Sequence, residues 1–292
     1  MLRLVLPKGS LERQTLELFD AADLSVNRSS NVAYHATIDD PRVIDVAILR
    51  PQEIPRYVAE GRFDLGITGR DWIEETASEV VSLGELNYSK VSNRPVRIVL
   101  AVAADSAVQS VRDLYDGVRV HTEYVELTRR FFEKNGIHAD IQLSYGATEA
   151  KTALDIADAV VELTETGSAL KAAGLRITDT LLTSYTELIA NPAAHEDPAK
   201  RHAMHQLQTL LQGTLEARGK VLVKLNVSAA DRDRVIGILP SMKSPTVSEL
   251  FGAGGYAVET VVPKAEINTL IPALKDAGAT DIIELPLSKI VH

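Results

Sequence analysis

Short apolar runs alternate with amphipathic segments along most of the chain, and polar residues with glycine or proline separate them. The opening run at residues 2–6 predicts a strand, and apolar positions at helical spacing over residues 11–22 predict the helix that follows. This strand–loop–helix order recurs, which is typical of α/β folds. Further strands are predicted over residues 43–49, 64–68, 96–102, 118–120 and 183–190, and helices over residues 52–60, 127–135 and directly after the capping pair Asp105-Ser106.

The last third of the chain has a different pattern. It begins after a long amphipathic helix, which is predicted over residues 199–217. Strand and helix signals follow in the order βαββαβ, with a glycine-rich turn at 252–255 between the two middle strands. That order is the ferredoxin-like unit, so we expect a separate C-terminal domain. Its strands are predicted over residues 220–227, 246–251, 256–263 and 281–287, and its helices over residues 229–239 and 265–277.

The central apolar run over residues 153–163 predicts a buried strand, and a turn of small polar residues connects it to a helix start. In such a turn the backbone amides lack helical acceptors, and the helix dipole favours an anion. Gly167 allows close approach of the backbone, and Thr164, Thr166 and Ser168 offer hydroxyl donors. The turn is therefore a candidate phosphate loop, although a capped strand-to-helix junction with solvated glutamates explains the same residues equally well.

Two glutamates complicate the interpretation as a phosphate loop. Glu162 and Glu165 would repel an anion unless they face sugar hydroxyls or a magnesium ion. A phosphorylated sugar offers a partner for both the glutamates and the hydroxyl donors, so that class is the candidate ligand.

Composition narrows the classes of function. With 292 residues and a hydrophobic content of 45%, the chain can bury a large core in two or three domains. Its 40 acidic residues exceed its 31 basic residues, which gives a formal net charge of −9, and without a basic stripe we expect no nucleic-acid partner. The absence of cysteine excludes disulfides and thiolate nucleophiles. Apolar runs are too short for a signal peptide or a membrane span, so we expect a cytoplasmic protein without a membrane partner.

The segment over residues 158–175 closely resembles the phosphoribosyl-pyrophosphate loop of the ATP phosphoribosyltransferase family, which opens histidine biosynthesis. Other motifs similar to the family follow in the family's order and spacing, so the resemblance spans the whole chain. They are Leu6-Pro7-Lys8-Gly9 with Leu11, Leu49-Arg50-Pro51-Gln52-Glu53-Ile54-Pro55, Phe63-Asp64-Leu65-Gly66-Ile67-Thr68-Gly69-Arg70-Asp71 and Gly146-Ala147-Thr148-Glu149-Ala150.

The resemblance implies a two-lobed catalytic core, like that of periplasmic solute-binding proteins, followed by the C-terminal regulatory domain of the family's long form. Lobe I is implied to comprise residues 1–93 with 183–205, lobe II residues 94–182, and the regulatory domain residues 206–292. In the family this last domain binds histidine as a feedback inhibitor and helps to build a hexamer in equilibrium with dimers. We therefore expect a homo-oligomer, with Asn226, Thr246 and Ser248 in the histidine pocket.

The reaction that the resemblance implies is attack of the adenine N1 of ATP on C1 of phosphoribosyl pyrophosphate, which releases pyrophosphate. Mg²⁺ is implied on the leaving pyrophosphate, and the sequence identifies no direct metal ligand. Lys8 and Glu162 are expected to be catalytic. The residues expected to bind phosphoribosyl pyrophosphate are Gly9, Asp158, Thr164, Glu165, Thr166, Gly167, Ser168 and Ala169. The residues expected to bind ATP are Arg50, Gly69, Arg70, Asp71, Tyr124 and Glu149.

Several of these residues have a second interpretation. Lys8 is also typical of a surface turn, Asp71 of a helix cap and Tyr124 of a partly buried core position. The family often has arginine where this chain has Ser10, and Arg13 either replaces that cation or faces solvent. The alternative function is a two-lobed protein that binds or senses a small molecule without catalysis.

Overall fold

The chain divides into two units, Met1–Gln208 and Thr209–His292. The computed structural model describes residues 1–30, 32–88, 95–240, 244–252 and 254–292. Two expectations fall outside these residues: the predicted lobe boundary between residues 93 and 94, and the middle of the glycine turn, which is Ala253.

Strands and helices alternate through the first unit, because apolar runs short enough for strands are separated by polar turns and amphipathic segments. In chain order they are β1 (Leu2–Pro7), α1 (Glu12–Ala21), β2 (Val26–Arg28), β3 (His35–Ile38), β4 (Val43–Leu49), α2 (Ile54–Ala59), β5 (Leu65–Gly69), α3 (Arg70–Thr76), β6 (Val81–Leu86), β7 (Val96–Ala103), β8 (Val118–Thr122), α4 (Val125–Lys134), β9 (Ala139–Leu143), α5 (Ala150–Ala153), β10 (Ala159–Thr164), α6 (Ser168–Ala172), β11 (Leu175–Ser184), β12 (Thr186–Ala190), α7 (Pro192–Glu196) and α8 (Pro198–Ala217), which contains the division between the units.

A 7-stranded sheet of order β2-β3-β4-β1-β5-β12-β6 forms lobe I. In its centre β1 is parallel to both β4 and β5, and every residue of β5 is buried. Buried parallel strands of this kind are covered by their crossover helices, and α2 and α3 both pack against β5. The carboxyl ends of β1, β4 and β5 therefore lie along one edge, where open α/β sheets bind ligands.

A 5-stranded sheet of order β11-β7-β10-β8-β9 forms lobe II. The central strand β10 is antiparallel to β7 and parallel to β8. Its residues Ala159, Val160 and Val161 have no exposed surface. One face of the strand packs in a core with residues of α4, and the other face packs with Leu170 of α6. The carboxyl end of β10 leads directly into the predicted phosphate loop.

The two lobes meet around the buried carboxylate of Asp71, near the start of α3. Tyr124, just before α4, donates its hydroxyl to Asp71 Oδ2 at 2.9 Å, and its ring stacks on Trp72 with 4.6 Å between the ring centroids. Ser184, the last residue of β11, donates its hydroxyl to Asp71 Oδ1 at 2.6 Å. One carboxylate therefore joins lobe I to two separate segments of lobe II.

Helices α3 and α4 also cap each other at the rim of this junction. The carboxylate of Glu75 accepts the amides of Glu126 at 3.0 Å and Leu127 at 2.8 Å, at the amino end of α4. In return, Arg130 on α4 donates to the carbonyl oxygen of Glu74 at 2.5 Å, near the carboxyl end of α3. Each contact places a charge at the helix end of opposite dipole sign, so both stabilise the docking of the lobes.

The second unit contains β13 (Lys220–Ser228), α9 (Arg232–Ile238), β14 (Thr246–Glu249), β15 (Gly255–Pro263), α10 (Ile267–Asp276) and β16 (Ala279–Pro286). Its 4-stranded sheet has the order β14-β15-β13-β16, and the paired strands are antiparallel. Alternate residues of β13, from Val221 to Val227, pack with residues of α9 and α10 in one core. This is the ferredoxin-like arrangement that the order of elements predicts.

The α/β class, the two-lobed core and the C-terminal ferredoxin-like fold are confirmed, but several local predictions were wrong. The apolar run at 183–190 is two strands in different sheets, separated by Tyr185, because the chain crosses between lobes there. The strand predicted over residues 153–163 begins only at Ala159, since Asp155 has a left-handed φ of 56° that ends the preceding turn. No helix follows Asp105-Ser106 directly; a 3-10 turn at Val111–Asp113 is capped by Ser110 instead. Among the described residues, no helix is both long and apolar enough to cross a bilayer.

The junction predicts an asymmetric response to two Tyr→Phe substitutions. Tyr124→Phe should lower the free energy of unfolding by about 2 kcal/mol, because it removes a donor from a buried carboxylate. Tyr115→Phe removes a bond of 2.7 Å to Asp158, but Tyr115 is 58% exposed and water replaces the lost partner. That control should change stability by less than about 0.5 kcal/mol. Denaturant unfolding of the three proteins measures both values, and equal losses would contradict a special role for the buried junction.

Candidate active site

A cavity of about 200 Å³ lies where the carboxyl ends of β1, β4 and β5 meet the end of β10. Leu163 of β10 lines it from lobe II, so both lobes contribute to its wall. Its lining is mostly apolar, with the polar edge of Asp71 and several hydroxyls. The described lining residues are Ser10, Leu11, Pro51, Gly69, Asp71, Trp72, Leu86, Asn87, Tyr88, Pro95, Val96, Leu163, Ser184, Tyr185 and Thr186.

Two cations stand beside this cavity at the ends of β1 and β4. The backbone amide of Lys8 donates to the Leu49 carbonyl oxygen at 2.6 Å. The side-chain ammonium of Lys8 lies 4.0 Å from the ring centroid of Tyr34. Gly9 has a φ of 90°, and a Cβ placed there would lie 3.3 Å from a guanidinium nitrogen of Arg50. Glycine at this position therefore lets the exposed Arg50 lie against the turn that carries Lys8.

The turn is held by Glu12 in the first turn of α1. Its carboxylate accepts the Gly9 amide at 3.1 Å and pairs with Arg28 at 2.7 Å. Partial burial works against ionisation, but the Gly9 amide and the Arg28 guanidinium together lower the pKa of Glu12. The ionised Glu12 carboxylate therefore holds the turn at Gly9 in place through this hydrogen bond.

Gly69 and Asp71 are placed together, and Gly69, not Asp71, occupies the N-cap position of α3. Helix α3 begins at Arg70 after Gly69, and no side chain caps it. A Cβ at Gly69 would overlap Asp71 Oδ1, so only glycine leaves room for the carboxylate. Burial raises the pKa of Asp71 above its ordinary value, against the hydrogen bonds from Ser184 and Tyr124. Asp71 is therefore not the N-cap residue of α3, although its carboxylate also accepts the first-turn amides of Asp71 and Trp72.

Arg70 and Tyr124 are already occupied by protein partners. Arg70 lies 2.6 Å from Glu74 and 3.6 Å from Glu187, and it is not among the described residues that line the cavity. Tyr124 is 3% exposed, with its ring against Trp72 and its hydroxyl on Asp71. The structure therefore supports the interpretation of Tyr124 as a core residue and corrects its expected contact with ATP.

The predicted phosphate loop is a tight turn between β10 and α6, and part of its donor set is used internally. Gly167, with a φ of 80°, donates its amide to Thr164 Oγ1 at 2.8 Å, and Thr164 is buried. Ser168 donates its amide to Thr166 Oγ1 at 3.3 Å. Thr164 Oγ1 thus accepts a bond that closes the turn, and because a hydroxyl that accepts can still donate its own proton, the expected contact of Thr164 with a phosphate stays a prediction.

Other donors of the loop remain open to a ligand. The hydroxyls of Thr166 and Ser168 lie 2.9 Å apart on the exposed side of the turn. Neither the Thr166 amide nor the amide of the exposed Ala169 has an acceptor in the part of the chain that the structure describes. Two amides and two hydroxyls suit the oxygen atoms of one phosphate group.

A group of carboxylates lies on the other side of β10. Glu162 and Leu163 project to opposite faces of the strand, so Leu163 lines the cavity while Glu162 faces α5. Burial is the largest cause that raises the pKa of Glu162 to about 7; the carboxylates of Glu123 and Glu149 raise it further, and the Thr148 hydroxyl and the Leu163 amide act against them. Glu149 and Glu162 are therefore brought together, whereas half-buried Glu165 lies in the turn itself.

Asp158 lies at the opposite end of β10 from the loop, roughly 20 Å away, because six strand residues rise about 3.3 Å each. Its carboxylate pairs with Arg119 at 2.7 Å and accepts the hydroxyl of Tyr115 at 2.7 Å. The Arg119 guanidinium holds the pKa of Asp158 far below its usual range. The expected role of Asp158 at the sugar is thus corrected: it fixes the amino end of the strand.

The three residues expected to bind histidine share one face of the second unit's sheet. Asn226 on β13 pairs with Ala257 on β15, which pairs with Ser248 on β14, so their side chains form a row across the strands. Thr246 lies two residues from Ser248 and points to the same side. The buried residues of β13 alternate with Asn226, so this row is on the face away from α9 and α10. Asn226 also donates to Asp281 at 2.9 Å.

Sequence reasoning missed Glu123, Thr148 and most of the cavity wall, of which only Gly69 and Asp71 were expected site residues. Thr148 directly precedes Glu149 in the motif Gly146-Ala147-Thr148-Glu149-Ala150. A hydroxyl next to an expected site acid was the only feature of the sequence that could have indicated a role for Thr148. Ser10 lines the cavity, whereas Arg13 is exposed and pairs with Glu17 at 3.1 Å. Arg13 therefore does not replace the family's arginine at position 10.

Comparison with known proteins agrees with this architecture. The family model HisG, described as ATP phosphoribosyltransferase, matches residues 50–213, and HisG_C, described as the HisG C-terminal domain, matches residues 217–289. An ATP phosphoribosyltransferase from Desulforudis audaxviator is 49% identical over 292 residues, covering 99% of each chain. One from Pelotomaculum thermopropionicum is 46% identical over 290 residues, again covering 99% of each chain.

A solved structure shows the same fold for the larger part of the chain. It is an ATP phosphoribosyl transferase (HisG:HisZ) complex from Thermotoga maritima, with a TM-score of 0.64 and 24% identity, covering 74% of this chain and 99% of that chain. The family models and the full-length relatives together establish that this chain belongs to the ATP phosphoribosyltransferase family, the pentosyltransferases of histidine biosynthesis.

Proposed function

We propose that the chain joins N1 of ATP to C1 of phosphoribosyl pyrophosphate, giving phosphoribosyl-ATP and pyrophosphate. One observation carries this proposal: the end of β10 joins a turn with exposed hydroxyls and open amides to a cavity that both lobes line. A sugar phosphate held at the turn has its ring beside Leu163, and the cavity beyond that side chain accepts the second substrate.

The 5′-phosphate is proposed to bind the loop. The amides of Thr166 and Ala169 and the hydroxyls of Thr166 and Ser168 supply its donors, and Gly167 lets the backbone approach. Thr164 contributes indirectly, because its hydroxyl fixes the Gly167 amide. Binding at this remote group orients C1, which converts the encounter of two substrates into a positioned reaction.

The pyrophosphate is proposed to face the turn after β1. Lys8 carries positive charge on this turn, next to Gly9, and the leaving group gains negative charge as the bond at C1 breaks. Cations that meet developing negative charge lower the barrier of the transfer, because their interaction is stronger in the transition state than in the ground state.

Glu162 is proposed to act on the ribose. The sugar carbon becomes cationic as pyrophosphate departs, and an ionised carboxylate nearby stabilises that charge and accepts hydrogen bonds from ring hydroxyls. No residue has to remove a proton from the nucleophile, because N1 of adenine attacks with its own lone pair. Orientation and electrostatics therefore supply most of the rate enhancement.

Mg²⁺ fits this donor set as an ion shared with the substrate. Among the described residues, no three His, Asp or Glu side chains are arranged to hold a metal by themselves. Mg²⁺ commonly uses one or two carboxylates with substrate phosphates and water. Glu162 and Glu149, whose mutual repulsion raises the pKa of Glu162, are the proposed carboxylates. When bound, the ion neutralises charge on the leaving pyrophosphate.

ATP is proposed to place its purine in the cavity. Trp72 and Tyr88 give that cavity an aromatic wall, and Gly69 and Asp71 border it. Arg50, next to Pro51 at the margin of the cavity, is proposed to bind the phosphates of ATP. Glu149 lies on the side of β10 that carries Glu162. Arg70 and Tyr124 are not proposed to contact ATP, because Arg70 pairs with Glu74 and the ring of Tyr124 stacks on Trp72.

Regulation and assembly extend the proposal. We place histidine feedback on the second unit, with Asn226, Thr246 and Ser248 on the sheet face away from α9 and α10. A homo-oligomer, dimeric or hexameric, and a cytoplasmic location remain predictions from the family resemblance.

The direct test is incubation of the purified chain with ATP, phosphoribosyl pyrophosphate and magnesium, with the product followed by its absorbance. Turnover is expected, and omission of either substrate should abolish it. A binding or sensor protein, the alternative function, would bind a ligand without forming product, so saturable binding without turnover would contradict the proposal.

Glu162 predicts a specific pH dependence. Its pKa of about 7 means that the carboxylate is ionised above that pH and protonated below it. Because the ionised form is the proposed catalytic form, kcat/KM for phosphoribosyl pyrophosphate should fall about tenfold per pH unit below pH 7. Glu162→Gln should lower kcat/KM by about 100-fold and remove this acid limb. Steady-state rates between pH 5.5 and 9 measure both effects, and an intact limb in the variant would assign it to another group.

The phosphate loop predicts a selective loss of substrate affinity. Gly167→Ala strains a position with a φ of 80° and crowds Ile177, so KM for phosphoribosyl pyrophosphate should rise about tenfold or more. Gly136→Ala is the matched control, because its φ is 73° and a Cβ there meets nothing within 4 Å. The control should show similar backbone strain with normal KM. Equal KM changes in the two variants, measured with their melting temperatures, would exclude the loop as the phosphate site.

A further inference from the structure

Tyr34 has no part in the reaction described so far, yet its ring contacts the ammonium of Lys8. Nζ of Lys8 lies 4.0 Å from the centroid of the Tyr34 ring. In the part of the chain that the structure describes, no hydrogen bond or ion pair holds this ammonium. Lys8 is half-buried and Tyr34 is 57% exposed, so the contact lies at the surface of lobe I.

Three neighbouring strands bring the two residues to one edge of the 7-stranded sheet. β4 pairs with β3 on one side and with β1 on the other, and Tyr34 directly precedes β3 while Lys8 directly follows β1. The carbonyl oxygen of Tyr34 accepts the Ile48 amide at 2.8 Å, and the Lys8 amide donates to the Leu49 carbonyl oxygen at 2.6 Å. Backbone hydrogen bonds therefore fix both residues to the carboxyl end of β4, where their side chains meet.

Glu12 is the acid on which Lys8 acts, but its hydrogen bonds go to other groups. Its carboxylate accepts the Gly9 amide at 3.1 Å and the Arg28 guanidinium at 2.7 Å. Partial burial opposes the ionisation of Glu12, and the Gly9 amide and Arg28 lower its pKa more than Lys8 does. No bonded carboxylate therefore neutralises Lys8 among the described residues.

Arg50 adds a second positive charge at the same turn. A Cβ on Gly9 would lie 3.3 Å from a guanidinium nitrogen of Arg50, so the guanidinium lies against the turn that carries Lys8. Like charges at one turn repel each other. The negative face of the Tyr34 ring attracts an ammonium and so offsets part of this repulsion.

An aromatic partner suits a lysine that has to bind an anion. A carboxylate in its place would use the same N–H donors that a phosphate oxygen needs, and its charge would oppose the approach of an anion. A tyrosine ring attracts the ammonium through its quadrupole and carries no net charge. The contact therefore limits the rotamers of a flexible side chain while the ammonium keeps its charge for a ligand.

We propose that Tyr34 is a positioning residue whose ring holds the charged ammonium of Lys8 in place for the anionic leaving group of the substrate. Its effect on turnover rests on the proposed function of Lys8. The contact between the ring and the ammonium is a property of the folded protein and can be tested without substrate.

NMR of the full chain, labelled in its lysine side chains, tests the contact itself. Lys8→Met identifies the Lys8 resonance by its loss. Methylene protons above the face of an aromatic ring move upfield, so the ε-methylene signal of Lys8 should lie upfield of the other lysines. Tyr34→Phe keeps the ring and should keep this shift, whereas Tyr34→Leu should return the signal to the range of the other lysines. Tyr34→Gln replaces Tyr34→Leu if that variant does not fold.

Steady-state kinetics test the consequence for the reaction. Tyr34→Leu should lower kcat/KM for phosphoribosyl pyrophosphate about two- to fivefold, which is the value of an exposed cation–π contact expressed as a ratio. Tyr34→Phe should restore the normal value, and KM for ATP should not change in either variant. Tyr115→Leu is the matched control, because Tyr115 is 58% exposed and its hydroxyl binds Asp158 in lobe II. It should change neither the Lys8 signal nor kcat/KM.

A double variant separates positioning from direct contact with the ligand. If the ring acts only through the ammonium, Tyr34→Leu should lower kcat/KM no further once Lys8→Met has removed that ammonium. An equal loss with and without Lys8 overturns the positioning role, because the ring then acts on the ligand or on the fold.

The remaining outcomes distinguish this inference from the proposed function. A Lys8 signal that is not upfield, or that Tyr34→Leu leaves in place, overturns the contact. A ring-dependent signal with normal kcat/KM in Tyr34→Leu overturns the positioning role. A ring-dependent signal in a protein that forms no phosphoribosyl-ATP supports the contact and overturns the proposed reaction instead.

Discussion

The buried Asp71 carboxylate is the contact on which the arrangement of the catalytic unit depends. A carboxylate that is 3% exposed costs several kcal/mol unless donors surround it. Its side-chain donors, Tyr124 and Ser184, come from lobe II, while Asp71 itself belongs to lobe I. Satisfying this one group therefore requires the lobes to meet in one way, and that way places the carboxyl ends of β1, β4 and β5 beside the end of β10.

At the candidate site, the cationic side chains come from lobe I, and the carboxylate of Glu162 comes from lobe II. Lobe I contributes Lys8, on the turn held by Glu12, and Arg50 after the end of β4, whereas lobe II contributes the loop donors and the carboxylate of Glu162. A substrate with phosphate at one end, pyrophosphate at the other and a carbon that becomes cationic between them matches this distribution. The acids Glu123 and Glu149 oppose the ionisation of Glu162, and in the proposed function a magnesium ion and sugar hydroxyls offset this repulsion.

Much of the fold followed from local pattern, and the errors came where tertiary contacts decided. The strand Val43–Leu49 and the loop glycine at 167 were predicted from apolar runs and turn chemistry, which act within a few residues. Tyr124 and Asp158 carried suitable chemistry and were placed near the base and the sugar. The structure uses them to bind Asp71 and to anchor Arg119. A side chain's partner across the fold cannot be read from its type.

The sequence alone determined the α/β class, the C-terminal βαββαβ order and the family, because periodicity, glycine positions and motif order are properties of the chain itself. Tertiary structure decided which acids and hydroxyls lie next to one another. The partners of Asp71, 53 and 113 residues away along the chain, and those of Glu162 are set by packing between strands and helices. Electrostatic effects fall off with distance in space rather than along the sequence, so the charge state of Glu162 emerged only once Thr148, Glu123 and Glu149 were brought around it.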